Sequence, residues 1–319
     1  VTQDTTRIVP SRLDDAARAA WLYYVAGNTQ DEIARKMGVS RQTAQRLVSL
    51  AVSERLVKVQ IDHPIGACMD LATEMRERFG LQICEVVPSD PEAPNLLTGL
   101  AIAAAAEVER VLKREEPQII ALGTGRALRA CVQQLSRMSC PQHKIVSLLG
   151  NMMTDGSATP YNATIRMADR VGGMHYPFPF PVMAQNAAAL QAMREQEAMR
   201  NTLALCARAD VALVGIGQMD ETAPLLVDGF LSDSDWDEIT QKGGAGEIIS
   251  WIFDDDGVLI ETDFSRRVAS APLPVPAEDR LVIAVAAGPA KIRAIRAALK
   301  GRLINGLVTS EATALSLLS

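Results

Sequence analysis

Apolar residues near the start of the chain recur at helical spacing in three short blocks, the first two closed by residues that end helices. Leu13 to Ala26 predicts a first helix, with Ala16, Ala20, Tyr23 and Tyr24 on one face and Gly27-Asn28 at its exit. Thr29 and Glu32 have the spacing of a capping box, so a second helix opens at Thr29, with Ile33, Ala34 and Met37 facing inward. Gly38 provides a sharp turn and Val39 plugs the corner. Ser40 then caps a third helix, which buries Ala44, Leu47 and Val48. Val57 to Ile61 alternates like a strand and predicts a wing, with Arg55 and Lys58 beside it. His63-Pro64-Ile65-Gly66 breaks the pattern, which divides the chain into residues 1–63 and 64–319.

The longer part has a different rhythm. Asp70 to Phe79 reads as a helix ended by Gly80, Leu81 to Val87 as a strand, Pro88 to Pro94 as a loop, and Leu97 to Glu115 as a long helix. Short apolar runs then stop at glycine. Ile119 to Leu122 meets Gly123-Thr124-Gly125-Arg126, and Ile145 to Leu149 meets Gly150-Asn151. Val211 to Val214 meets Gly215-Ile216-Gly217, and Leu281 to Ala287 meets Gly288-Pro289, ahead of a helix begun by Lys291. Continuous apolar strands suit a sheet covered on both faces, hence a doubly wound, mostly parallel α/β domain behind an all-α (winged) helix-turn-helix. In such sheets a ligand sits beyond the carboxyl ends of the strands.

Composition narrows the picture. Hydrophobic residues make up 48% of the 319 positions and aromatics only 4%. No apolar run is long enough to span a bilayer, and Val1 to Pro10 lacks the apolar core of a signal peptide, so a cytoplasmic location and no membrane partner are expected. Cys68, Cys84, Cys131, Cys140 and Cys206 are scattered, which predicts buried free thiols and no metal site. The net charge of −6 argues at first against nucleic acid. However, residues 1–63 hold nine Lys and Arg against seven Asp and Glu, a balance of +2, whereas the remainder holds 23 against 31, a balance of −8. The basic excess accompanies the helix-turn-helix.

Candidate chemistry follows from these placements. The third helix leaves Arg41, Gln42, Thr43, Gln45 and Arg46 outward, and Arg and Gln are the side chains that bridge guanine and adenine edges bidentately. Ser40 and Thr43, with the helix N-terminus, can anchor a phosphate of double-stranded DNA, and Thr29 belongs to the same candidate interface. Gly123-Thr124-Gly125-Arg126 lacks the Gly-Lys-Ser/Thr ending of a nucleotide loop and the third glycine of a dinucleotide fingerprint, so a sugar or phosphosugar fits better. His175 lies in a proline-punctuated stretch running to Pro181, which reads as a loop where it either lines the pocket as a lid or serves the loop's structure. Asp254-Asp255-Asp256-Gly257 lacks the later Glu of an EF-hand and reads as a turn.

Taken in order, these segments resemble the SorC-type sugar-binding transcriptional regulators. The resemblance extends through Gly243 to Ile248 with Phe253-Asp254, through Gly288 with Lys291, and through Ala298 to Gly301 leading to Leu307-Val308-Thr309. It implies an effector domain similar to sugar-phosphate isomerases and deaminases but without catalysis or a cofactor. It also implies a homodimer or homotetramer on operator DNA, and a sugar, polyol or sugar-phosphate effector. The ligand contacts it implies are Gly123, Thr124, Gly125, Arg126, Glu247 and Lys291, followed by Asn151, His175 and Asp220. Ala127 stands where the family often has threonine, and Thr309-Ser310 where it often has Thr-Asp. The first departure removes a hydroxyl from the phosphate cradle and leans the expectation toward an unphosphorylated ligand. The resulting expectation is a regulator, with repression relieved by ligand as the default, of a carbohydrate or polyol catabolic operon. Two other readings stay open: a sugar-phosphate isomerase or deaminase using Asp220, Glu221 and Glu247 as acid and base, and a sensor acting through a protein partner.

Overall fold

In the computed structural model, residues 12–54, 56–57, 65–90, 92, 97–153, 155–159 and 163–319 are described. The chain divides into two compact units, Val1–Pro64 and Ile65–Ser319.

The first unit is built on three helices: α1 (Arg12–Tyr24), α2 (Gln30–Met37) and α3 (Arg41–Ser53). Its core is small and alanine-rich, with Ala16, Ala19, Ala20, Ile33, Ala34, Ala44, Leu47, Val48 and Ala51 packed together. Small side chains let the three helices approach closely. Tyr23 and Tyr24 depart from the expected inward face. They are exposed and stack edge to face with centroids 4.9 Å apart, because Ala19 rather than Tyr23 completes the buried stripe of α1. The predicted wing lies outside the described residues apart from Val57, as do Arg55 and Lys58.

The second unit is organised by seven parallel strands: β1 (Ile83–Val87), β2 (Ile119–Leu122), β3 (Lys144–Met152), β4 (Met174–Pro181), β5 (Val211–Val214), β9 (Leu281–Val285) and β10 (Gly306–Ser310). Between β5 and β9 comes a small antiparallel sheet of β6 (Gly217–Gln218), β7 (Gly246–Ile248) and β8 (Trp251–Phe253). The helices are α4 (Gly66–Phe79), α5 (Thr98–Leu112), α6 (Arg126–Gln134), α7 (Thr164–Val171), α8 (Ala187–Glu195), α9 (Glu197–Ala207), α10 (Pro224–Val227), α11 (Asp233–Gln241), α12 (Ile292–Lys300) and α13 (Glu311–Leu318).

The main sheet runs β1-β10-β9-β5-β2-β3-β4. Its central strands bury alternate residues in two separate cores. Ile120, Leu122, Val211, Leu213, Ile283 and Val285 pack with α5, α6 and α7 on one face. Ala121, Ala212, Val214, Val282 and Ala284 pack with α4, α9, α12 and α13 on the other. Burial on both faces is why these strands read as unbroken apolar runs. After β2 the chain builds outward through β3 and β4, whereas after β5 it builds the other way through β9 and β10. The switch point of this doubly wound sheet therefore falls between β2 and β5.

Two segments differ from the sequence expectation. Gly150-Asn151 is not a turn after the strand but lies within β3, opposite the end of β4. A Cβ on Gly150 would come within 2.6 Å of the Pro181 carbonyl oxygen, so glycine is what allows the two strands to run on together past an irregular register. The stretch around His175 is not a loop but β4 itself. It is an edge strand, where prolines cost no ladder bond on the open side.

Candidate effector cavity and nucleic-acid interface

The two helix starts that frame the expected recognition face are held by local chemistry. The Thr29 backbone N–H donates to Glu32 Oε2 at 2.8 Å while the Glu32 N–H donates to Thr29 Oγ1 at 3.4 Å, a closed capping box. The Thr29 N–H, joined by the Thr29 hydroxyl, which donates to the same Oε2 at 2.9 Å, pulls the Glu32 carboxyl below its usual range. Gly38 ends α2 with φ of 68°, a left-handed conformation that glycine adopts without strain. The Thr43 N–H donates to Ser40 Oγ at 3.1 Å and opens α3. Arg41, Gln42, Thr43, Gln45 and Arg46 then lie exposed on α3, outside the Ala44-Leu47-Val48 core face. Arg12 of α1 joins Gln42, Gln45 and Arg46 around one shallow concavity, a basic neighbour that the sequence reading had not selected. Arg41 makes only a loose ion pair with Asp31, at 3.5 Å and with both side chains more than half exposed, so it is free to exchange that partner for a phosphate or base.

The second site is a cavity of about 600 Å³ at the carboxyl ends of the parallel strands. It spans the β2/β5 switch point and collects Val87 at the end of β1 and Ser89 after it, Thr124, Gly125 and Arg126 after β2, Gly215 and Ile216 after β5, Ala286 and Gly288 after β9, and Ser310 from β10. The small sheet closes it with Gln218, Glu247, Ile249 and Ser250.

Glu247 is placed by three features. Gly217 pairs with it across β6 and β7, and a Cβ at Gly217 would lie 2.8 Å from Glu247 Cγ. The Ser250 N–H donates to Glu247 Oε2 at 2.7 Å. That amide is aimed by the two-residue turn between β7 and β8, in which Ile249 and Ser250 both adopt left-handed φ, 46° and 67°. A β-branched residue there costs about 1–3 kcal/mol and persists only where its surroundings hold it. Ile249 is held by burial against the backbone of Gly123, where a Cβ would meet it at 3.1 Å. Burial raises the Glu247 pKa, partly offset by the Ser250 N–H and by Lys291.

Lys291 closes a single 3-10 turn, Pro289–Lys291, ahead of α12, and its Nζ donates to the Ile216 carbonyl oxygen. Burial lowers its pKa. Glu247 and Asp220 counteract this, while the nearby Arg126 adds to it. Glu247, Lys291 and the glycine-lined β5 turn thus form one charge-balanced wall.

Of the residues expected to contact a ligand, Thr124, Gly125, Arg126, Glu247 and Lys291 line the cavity together. Gly123, Asn151, His175 and Asp220 are not among its lining residues. Gly123 sits behind the wall, under Ile249. Asn151 lies beyond Gly150 inside β3. His175 is exposed near the start of β4 and pairs with Ile145, at the end of the sheet away from the cavity, so it cannot act as a lid. Asp220 holds the Thr222 hydroxyl, which donates to Asp220 Oδ1 at 2.6 Å, one residue removed from the cavity surface. Ser89, Gln218, Thr222, Asp228 and Ser310 line the cavity without having been foreseen. Ala127 lines it too, with a methyl group where a hydroxyl had been the family expectation.

A three-helix DNA-reading fold followed by an α/β cavity domain defines a class, the ligand-responsive transcriptional regulators. Comparison with known proteins agrees. The Sugar-bind family model, a sugar-binding domain, matches residues 63–319, and a homeodomain-like domain model matches residues 10–58. The chain belongs to the SorC-type sugar-binding transcriptional regulators. It is 34% identical over 303 residues to the erythritol catabolism regulatory protein EryD of Brucella abortus, covering 95% of this chain and 96% of that protein. It is 32% identical over 307 residues to the transcriptional regulator LsrR of Klebsiella pneumoniae, covering 95% and 92%. The crystal structure of the full-length sorbitol operon regulator SorC from Klebsiella pneumoniae matches with a TM-score of 0.70 and 27% identity, over 95% of this chain and 98% of that one. The protein is thus a DNA-binding transcriptional regulator with a sugar-binding effector domain. Among the described residues, no helix is long and apolar enough to cross a membrane.

Proposed function

We propose that the protein represses a polyol or sugar catabolic operon in the cytoplasm, and that an unphosphorylated polyol or sugar in the cavity releases it from operator DNA. The charge balance of the cavity carries the choice of effector. Its described lining sets Arg126 and Lys291 against Asp90, Asp228 and Glu247, and Lys291 is already engaged by Ile216 and faces Glu247. A phosphate dianion would meet one uncommitted arginine and several carboxylates, whereas a polyol can donate to carboxylates and accept from cations alike. The alanine at 127 points the same way. The erythritol and sorbitol systems of the relatives named above support the ligand class.

In this reading Arg41, Gln42, Gln45 and Arg46 contact bases, while Thr29, Ser40 and Thr43 position the helices on phosphates. Two headpieces in a homodimer or homotetramer span a two-fold operator. No reaction is catalysed. Glu247 is tied to the Ser250 amide and faces Lys291, so it orients ligand hydroxyls rather than taking protons from a substrate. A thermal-shift series with erythritol, xylitol, sorbitol, their phosphate esters and inorganic phosphate tests the assignment. Stabilisation by a free polyol or sugar supports it. Stabilisation by phosphate esters alone, or turnover of any of them, contradicts it.

A further inference from the structure

We propose that Gln218 reads a hydroxyl group of the effector through a side-chain carbonyl whose direction is fixed by Thr222 and Asp220. This rests on the polyol or sugar reading of the cavity and adds the residue that enforces it.

Gln218 is the second residue of the two-residue strand β6, only 7% exposed, and part of the cavity wall. Its Nε2 lies 3.3 Å from both the Thr222 carbonyl oxygen and Thr222 Oγ1. Its Oε1 is buried, and no donor among the described residues reaches it. A buried acceptor without a donor is costly, and on a residue of the cavity wall it points to a donor that arrives with the ligand.

The ambiguity of an amide, which could present either its oxygen or its nitrogen, is resolved by its neighbours. Thr222 Oγ1 donates to Asp220 Oδ1 at 2.6 Å, and the Thr222 N–H donates to the same oxygen at 2.8 Å. With its hydrogen committed, the Thr222 hydroxyl can only accept from Gln218. Turning the amide over would set Oε1 against a carbonyl oxygen and a hydroxyl lone pair. Asp220 therefore acts through Thr222 as a positioning residue, which accounts for an acidic side chain that does not itself line the cavity.

The consequence is chemical selectivity. An acceptor fixed in a half-enclosed wall takes a hydroxyl, which donates. It repels a phosphate dianion, whose oxygens offer only lone pairs. Gln218 thus favours an alcohol over a phosphate ester at the end of the ligand it faces.

Calorimetry on the full chain tests this with erythritol, xylitol, sorbitol, their phosphate esters and inorganic phosphate as probes. Gln218→Leu should weaken the best-binding free polyol roughly tenfold. A deoxy analogue of that polyol, lacking the hydroxyl that faces Gln218, should lose about as much on the wild type and nothing further on Gln218→Leu. Thr222→Val removes one of the two acceptors that hold the amide nitrogen and leaves only the backbone carbonyl, so it loosens the amide and should narrow the preference for the polyol over its phosphate ester, an effect that a merely structural role would not produce. Circular dichroism melts establish that each variant is folded. If Gln218→Leu does not fold, the Thr222→Val preference decides alone. Equal polyol affinity in wild type and Gln218→Leu, or an unchanged preference in Thr222→Val, overturns the role of Gln218 and leaves the polyol reading standing. If no free polyol or sugar binds the wild type, the polyol reading fails and the role of Gln218 fails with it.

Discussion

The two working surfaces of this protein hold their charges in opposite ways. On the recognition helix, Arg41 and Arg46 are exposed and any partner is loose, as the 3.5 Å Arg41–Asp31 contact illustrates. In the cavity, Glu247 and Lys291 are partly buried, tied to backbone groups, and shifted from their ordinary pKa values by burial. Exposed charges pay little to change partners and are screened by salt, which suits a face that must scan DNA. Buried charges are expensive to leave unpaired, which suits a site that must distinguish an empty cavity from a filled one. The headpiece should therefore answer to ionic strength, and the effector domain to pH and to small changes in shape.

The largest effect should come from shape. In Gly150→Ala the new methyl meets the Pro181–Val182 backbone at 2.6–2.7 Å, where neither strand can yield without breaking β3–β4 pairing. We expect about 3 kcal/mol lost from the effector domain and a midpoint lower by roughly 6–12 °C in a calorimetric melt. A midpoint within a degree of wild type would show that the cavity wall is softer than argued. Next, Arg41→Ala and Arg46→Ala should each weaken operator binding by about 1–3 kcal/mol while leaving effector-domain melting intact. A residue that touches phosphate should also reduce the salt slope of binding by about one. Full-affinity binding by both variants would move the reading face elsewhere on the headpiece.

Thr29→Ala removes one half of the capping box and should cost the headpiece about 1 kcal/mol, read as faster amide exchange in α2. Unchanged exchange would mean that the small alanine core alone holds the helix. The smallest effect is in pH. Glu247 binds its proton more tightly folded than unfolded, so its contribution to stability is fully present below the ordinary value of 4.5 and is lost as pH rises through the raised folded value. Wild type should lose ground to Glu247→Gln as pH climbs from about 4 to about 7, in paired thermal melts. A constant difference between the two across that range would place the carboxylate in water.

The headpiece was legible in the sequence because its signals are local. A cap, a glycine turn and a second cap fall within a few residues of one another, and each encodes its own backbone state. The strand-end glycines made half of the cavity legible for the same reason, bringing out Thr124, Gly125 and Arg126, and family resemblance added Glu247 and Lys291. Gln218 escaped notice because its role arises from pairing between distant segments. β6 is two residues long and has no pattern of its own until Gly217 meets Glu247. His175 was misplaced because prolines signal a loop in most contexts, yet an edge strand tolerates them. Asn151 was misplaced because the glycine before it was read as the end of a strand when it marks a close strand approach.

The central claim is that the cavity and the reading face share one free energy. Fluorescence anisotropy of the full chain on a labelled fragment of its own operator, titrated with and without a saturating polyol that stabilises the protein, measures it directly. We predict that the polyol weakens operator binding by about 5–150-fold, a coupling of roughly 1–3 kcal/mol. Identical operator affinity with the cavity filled and empty would contradict the account.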